Sequence, residues 1–372
     1  ILADVEESDV EVSRSESNEP VDLEARAGES PVIRYVNYII QTAVKEGASD
    51  IHIEPNEKKL KVRFRIDGIL FEMMNPPPGM SAAIVSRQEP VVYPDPVGSQ
   101  PLNKSQLREY EDNGFLLLPD LFNAQEVQAL LGNVEAMSTD PGILSREEAV
   151  VEKGSQAVRS IFRVHELSEL IARLVRDPRV LDVARQILGS DVYVHQSRAN
   201  LKPGFTGKEF YWHSDFETWH IEDGMPQMRA LSCSVLLTDN NVCNGPLMLV
   251  PGSHRQFISC TGQTPDNHYK ESLRKQEYGV PDPISLRLLV DQGGIEAITA
   301  KAGSVIFFDC NTLHGSASNI SPWPRANVFT VYNSVENCVG DPKQGLTPRP
   351  AHVATRGQFP VLTPLNGPLL ES

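Results

Sequence analysis

Residues 210–226 read FYWHSDFETWHIEDGMP. The stretch sets His213 and Asp215 one residue apart, with Glu217, His220 and Glu222 close behind. On an extended strand, positions i and i+2 point to the same side. His213 and Asp215 therefore converge on one point while Ser214 turns away. A second histidine is needed to complete a set of two imidazoles and one carboxylate, and His314 is the best placed. It stands in GSVIFFDCNTLHGSASN, residues 303–319, an apolar strand that breaks at Asp309 into a short polar turn. Two histidines and a carboxylate leave coordination positions open, which suits non-haem Fe(II) and oxygen chemistry. A structural zinc site takes four protein ligands, usually with thiolates. None of the cysteines (Cys233, Cys243, Cys260, Cys310 and Cys338) is spaced to join. Glu217, His220 and Glu222 are not expected to ligate. His52, His165, His254, His268 and His352 have no partner at a useful spacing.

Working outward, VYVHQSRANLKP (192–203) alternates as a strand. Gln196, Arg198, Asn200 and Lys202 fall on one face, and Tyr193, His195, Ser197, Ala199 and Leu201 on the other. Amide and guanidinium groups in a row are expensive in a dry core, and they suit a wet cavity holding an anion. RANVFTVYN (325–333) places Arg325, Asn327 and Phe329 on a shared face. An arginine can grip a carboxylate through two parallel hydrogen bonds, and Ser316, two residues after His314, can add a hydroxyl. This pair suits the far carboxylate of a keto-acid cosubstrate whose other end chelates iron. GFTGKE (204–209) is not a nucleotide loop: its glycines are too close together and Glu209 stands where Ser or Thr is needed.

The chain has 372 residues, of which 40% are hydrophobic and 22% charged, as in a globular protein. No run of about 20 apolar residues occurs, so no membrane span is expected. No signal peptide is expected either, since the first residues lack a basic region and an apolar core. The net charge of −15 argues against nucleic-acid binding. Five cysteines without a CxxC pair read as reduced thiols in a cytoplasmic protein. Residues 1–30 hold ten acids and two bases and read as a disordered acidic segment. Residues 31–74 read as one helix, from the spacing of Val32, Val36, Ile39, Ala43 and Val44, followed by short strands with a hairpin turn at Asp67-Gly68. Pro-rich stretches at 75–79 and 89–101 place a boundary near Arg87. Beyond it, helices are expected at 103–112, 123–137, 166–175 and 177–188, and strands at 191–202, 228–237, 246–250, 304–308 and 326–332. Helices first and strands later give an α+β class.

Residues from about 88 to 362 resemble the phytanoyl-CoA dioxygenase family of Fe(II)- and 2-oxoglutarate-dependent oxygenases, in particular its ectoine-hydroxylating branch. The resemblance lies in residues 210–226, in LVPGSHR (249–255) and in FFDCNTLHGSASN (307–319). It implies a double-stranded β-helix (jelly-roll, cupin-like) core with supporting helices, and iron held by His213, Asp215 and His314. It implies a 2-oxoglutarate site at Asn200, Phe210, Ser316 and Arg325, and an ectoine pocket at Gln196, Arg198, Trp219, Ala230, Phe308 and Phe329. The implied reaction converts ectoine, 2-oxoglutarate and O2 to 5-hydroxyectoine, succinate and CO2, in a homodimer. A related oxygenase acting on another small amino-acid-like solute is the alternative.

EGASDIHIEPNEKKLKVRFRIDGIL (46–70) instead resembles the N-terminal domain of type II secretion and type IV pilus assembly ATPases. No G-x-x-x-x-G-K-[ST] occurs anywhere, so ATP hydrolysis is not carried over. The chain thus reads as a fusion, of genes or of assembled sequence. Residues 1–30 form the acidic segment, 31–87 a small α/β secretion-ATPase-like fragment, and 88–372 the dioxygenase domain. A contact with secretion machinery through residues 31–87, with the oxygenase as passenger, is the reading from a different class.

Overall fold

The computed structural model describes residues 31–56, 59–74, 84–94, 98, 100–151, 157–258, 280–281 and 283–370. The acidic segment 1–30, the Pro-rich stretch 75–79, Cys260 and His268 lie outside them. The chain divides into two compact units, one built from residues up to 53 with 62–73, the other from 54–61 with 74–372.

Residues 31–74 hold α1 (Pro31–Lys45) and a sheet of β1 (Asp50–Asn56), β2 (Lys59–Ile66) and β3 (Ile69–Met74) in the order β1-β2-β3. Asp67 and Gly68 both take positive φ, as a tight hairpin requires. Ile39, Ala43, Val62 and Phe64 are buried.

The second unit begins with β4 (Ile84–Ser86), α2 (Lys104–Asn113) and β5 (Phe115–Leu118). Next come α3 (Ala124–Thr139), α4 (Pro141–Leu144), β6 (Ala149–Val151) and β7 (Val158–Phe162). Then follow α5 (Val164–Leu167), α6 (Glu169–Leu174), α7 (Pro178–Leu188), β8 (Val192–Lys202), β9 (Phe210–His213) and α8 (Asp215–Glu222). The rest is β10 (Ala230–Leu236), β11 (Met248–Leu249), β12 (Gln256–Ile258), α9 (Pro283–Gly293), β13 (Glu296–Ala297), β14 (Val305–Asp309), β15 (His314–Ser316) and β16 (Arg325–Ser334). The expected helix at 166–175 is split, because Ser168 adopts an extended backbone and caps α6 by accepting from Ile171 N. Asn103 and Asn123 open α2 and α3 with capping boxes.

A seven-stranded sheet runs β5-β14-β10-β16-β8-β7-β6, and a four-stranded sheet runs β13-β11-β15-β9. Alternation along β10, β14 and β16 sorts the two faces. Leu231, Cys233, Val235, Val305, Phe307, Ala326, Val328 and Tyr332 pack with α2, α3, α6 and α7 in the main core. Leu236, Ile306, Phe308 and Phe329 face the other way, against Leu249 of the small sheet and Ile298, which follows β13. Fully burying one such side chain contributes roughly 1.5–3 kcal/mol. Helices therefore cover one face of the large sheet and the small sheet covers the other, giving the double-stranded β-helix with supporting helices. Among the described residues, no helix is long and apolar enough to cross a membrane.

β8 departs from its expected alternation. Its register with β16 jumps from Gln196↔Val331 to Val194↔Tyr332, leaving His195 as the extra residue of a bulge. Val192 and Val194 thus share the helix-facing core with Ala199. Tyr193 and His195 turn to the opposite side, where Tyr193 stacks on Phe359 and His195 meets Trp219.

Candidate metal centre

His213 and His314 are cross-strand partners on antiparallel β9 and β15. Their rings lie 4.3 Å apart. The expected strand through Asp215 stops at His213, and Asp215 is instead the first residue of α8. Ser214 between them is still extended (φ −107°, ψ 131°), so the i, i+2 alternation survives one step past the strand. Asp215 consequently turns back toward the histidines. One carboxylate oxygen lies 3.8 Å from His213 Nε2 and the other 3.9 Å from His314 Nε2. One ligand atom from each of the three side chains lies within 4.8 Å of the others, and all three residues are buried.

Backbone carbonyls fix both rings. His213 Nδ1 lies 2.7 Å from Tyr211 O, and His314 Nδ1 lies 2.9 Å from Thr312 O. A carbonyl accepts from Nδ1–H, which leaves each Nε2 lone pair directed at the shared point, the tautomer a metal requires. Burial and repulsion from His314 push the His213 pKa down to about 3, so the ring is neutral. Burial would raise the Asp215 pKa, but His314, His213, Arg198 and a 3.3 Å hydrogen bond from Ser232 Oγ hold it below the usual carboxylate value. Two imidazoles and one carboxylate, with no thiolate, fit non-haem Fe(II).

Beside this set lies a cluster of basic side chains. Lys202 pairs with Arg325, Asn200 with Asn327, and Arg198 with Phe329 across β8 and β16. Ser316 sits opposite Phe210 across β15 and β9. The four residues expected to hold the keto acid, Asn200, Phe210, Ser316 and Arg325, are thereby brought onto neighbouring strands. Two cations that sequence reading left out of the site join them. Lys202 Nζ donates to Ser316 Oγ at 2.8 Å and to Ala317 O at 2.6 Å. The Arg159 guanidinium lies 3.7 Å from the Phe210 ring centroid and donates to Glu209 O. Lys202 was legible on the polar face of its strand. Arg159 sits on β7, a strand that no pattern announced. Burial, together with repulsion from Arg159 and Arg198, pushes the Arg325 pKa down to about 10. Arg198 Nε, Arg325 Nε, Asn200 Oδ1 and Asn327 Oδ1 are buried without a hydrogen-bond partner. Such atoms are costly unless a ligand satisfies them, and an anion fits the cations.

The residues expected around the substrate divide into two groups. Phe308 stands 5.0 Å from the His314 ring and 6.5 Å edge-on from Phe329, whose ring lies 5.1 Å from the Arg198 guanidinium. Trp219 and Ala230 belong to an adjoining cluster with Phe216, Met225, Met228 and Val331. Gln196 reaches the C-terminal segment, donating to Val353 O at 2.6 Å. His220 and Glu222 have partners outside the His213–Asp215–His314 set. His220 Nδ1 is 2.7 Å from Met225 O, and Glu222 is 3.7 Å from Arg349.

A buried network behind Trp219 had no sequence signal. His195 meets Trp219 edge-on at 5.2 Å and lies 3.4 Å from Asp223. Arg349, from the C-terminal segment, donates to both Asp223 oxygens. Burial would raise the Asp223 pKa, but Arg349 and His195 hold it near 2. Burial pushes neighbouring Glu222 up to about 7, with Asp223 adding to the shift and Arg349 opposing it.

Comparison with known proteins gives two matches along the chain. The family described as Phytanoyl-CoA dioxygenase (PhyH) matches residues 110–327, and that described as Type II/IV secretion system protein matches residues 25–90. The chain is 69% identical over 286 residues to an ectoine dioxygenase of Bordetella bronchiseptica, covering 77% of this chain and 93% of the relative. It is 54% identical over 273 residues to an ectoine dioxygenase of Stutzerimonas stutzeri, covering 73% of this chain and 90% of the relative. Among solved structures, EctD from S. alaskensis with 2-oxoglutarate and 5-hydroxyectoine is similar at TM-score 0.70 and 46% identity, covering 78% of this chain and 96% of that one. The same protein with bound Fe is equally similar. SnoK, a carbocyclase from nogalamycin biosynthesis, shares the fold at TM-score 0.52 and 22% identity, over 72% of this chain and 99% of its own. The match over residues 110–327, spanning the His213–Asp215–His314 set, and the identities of 54% and 69% establish that the chain belongs to the phytanoyl-CoA dioxygenase family.

Proposed function

We propose that this protein hydroxylates ectoine to 5-hydroxyectoine, using Fe(II), 2-oxoglutarate and O2 and releasing succinate and CO2. One observation carries the reading: a buried set of two imidazoles and a carboxylate adjoins a cluster of buried cations, in a chain 69% identical to an ectoine dioxygenase. Iron bound there supplies oxygen activation coupled to oxidative decarboxylation of the keto acid. The remaining work falls to the chain. His213, Asp215 and His314 would hold the metal and leave coordination positions for cosubstrate and oxygen. Arg325 and Lys202, with Ser316 and Asn200, take the far carboxylate of 2-oxoglutarate through charge-assisted hydrogen bonds, and Phe210 packs along it. Trp219, Ala230, Phe308 and Phe329 form apolar walls that orient the small ring and exclude water. Gln196 and Arg198 supply polar contacts, the Arg198 guanidinium being suited to the substrate carboxylate.

The test is product analysis of the iron-loaded protein given ectoine, proline or no substrate, with 2-oxoglutarate and oxygen. Hydroxylated product from ectoine alone is expected. Unchanged ectoine despite bound iron would defeat the reading, and turnover of proline in its place would move it to a related solute.

Family resemblance supports a homodimer, which sedimentation tests directly. The secretion-protein match over residues 25–90 supports at most a binding contact, because the phosphate-loop motif is absent from the sequence.

A further inference from the structure

The turn between β14 and β15, residues 309–313, is bonded to both segments that carry the candidate ligands. Ser214 Oγ donates to Asn311 Oδ1 at 3.0 Å, and Phe216 N donates to Cys310 O at 2.8 Å, so the turn grips the residues on either side of Asp215. The carbonyl of Thr312 orients the His314 ring. The position of Asp215 relative to His314 is therefore set through this turn. The turn in turn hangs on Asp309, whose Oδ1 accepts from Asn311 N at 2.8 Å and whose carbonyl accepts from Thr312 N at 3.0 Å.

Asp309 is buried, and its other oxygen meets a buried cation. Arg87 donates to Asp309 Oδ2 at 2.8 Å, and their side chains are 2% and 3% exposed. The same guanidinium donates to Met228 O at 2.7 Å, to Pro90 O at 2.8 Å and to Glu89 O at 3.1 Å. Arg87 N donates to Arg255 O, continuing the pairing of β4 with β12. Arginine suits this place because its planar fork offers several fixed donors to one carboxylate and to carbonyls around it. Arg87 lies within the stretch that matches the secretion-system family, and its strand β4 pairs with β12 of the larger unit.

We propose that Arg87 is a positioning residue for the metal centre, acting through Asp309 and the 309–313 turn on the spacing of Asp215 and His314. The proposal rests on the metal-centre reading above. Outer residues that orient metal ligands typically govern affinity by about 10- to 100-fold. The test uses the full chain, with Co(II) in place of Fe(II) and oxygen excluded, and reads Co(II) affinity, the visible ligand-field spectrum and thermal unfolding. Arg87→Met is expected to weaken Co(II) binding about 10- to 100-fold and to shift the spectrum. That variant also strands the Asp309 carboxylate without its partner, which by itself can impair folding. The double variant Arg87→Met with Asp309→Asn removes the stranded charge. It is expected to regain unfolding temperature while keeping the weakened affinity and shifted spectrum. Wild-type affinity and spectrum in either variant would overturn the proposal. A wild-type protein that binds no Co(II) would instead overturn the metal-centre reading, a separate failure.

Discussion

His213 and His314 face each other directly across β9 and β15, yet Asp215 reaches the same point from the first turn of a helix. Two candidate ligands are thus fixed by strand register, and the third by the single extended residue Ser214. The negative Asp215 also sits at a helix N-terminus, where the backbone dipole favours it. Any one ligand lost leaves two, too few to hold the ion against water. His213→Ala, Asp215→Ala and His314→Ala are each expected to lower Fe(II) affinity and turnover at least about 100-fold. Anaerobic metal titration and succinate assays check this, and full activity in any one variant would refute the set.

Arg325 and Lys202 are cross-strand neighbours and both are fully buried. Hydrogen bonds to charged groups contribute about 1.5–3 kcal/mol each. Arg325→Ala and Lys202→Met are therefore expected to raise the KM for 2-oxoglutarate about 10- to 100-fold, with a smaller effect on the KM for ectoine. Steady-state kinetics with each substrate varied in turn check the split. An equal rise in both would place these cations elsewhere than at the keto acid.

Trp219 is 3% exposed and packs beside Ala230. Trp219→Phe keeps an aromatic wall while removing part of its surface. Pocket changes of this size shift discrimination by about 1–3 kcal/mol, so the KM for ectoine should rise about 10-fold or more while that for 2-oxoglutarate stays put. Ala230→Leu, which fills the adjoining space, should act in the same direction.

Glu222 carries a pKa raised to about 7 by burial, against 4.5 for the free group. The unfolded chain gives up this proton more readily than the folded one. The penalty for folding is therefore absent below pH 4.5, grows between the two values and is complete above about 7. Glu222→Gln should leave stability nearly unchanged at pH 4.5 and raise it by about 1–3 kcal/mol at pH 8.5. Urea unfolding at the two pH values measures it. Equal effects at both would show that Glu222 is not held protonated.

Sequence pattern revealed the long elements because their periodicity is strong. Strands β8, β10, β14 and β16 and helices α2, α3 and α7 fall within a few residues of expectation. The clustering of His213 and Asp215 with His314 was legible through His213-x-Asp215, although the reason was partly different, since a helix rather than a strand supplies the aspartate. Short elements such as β5, β6 and β7 were not legible, because three to five residues carry too little period, and Arg159 was missed with them. The His195 bulge was invisible because one extra residue leaves no mark on composition, and it moved Tyr193 and His195 to the other face. Arg87 and Arg349 were missed for another reason: each reaches its partner carboxylate across the chain, through packing that no local spacing encodes.

The central claim is coupled hydroxylation of ectoine at this metal centre. Iron-loaded protein supplied with 2-oxoglutarate and oxygen should release succinate in a burst that depends on ectoine, with one 5-hydroxyectoine formed per succinate. Succinate release that is indifferent to ectoine, with the ectoine recovered intact, would contradict it.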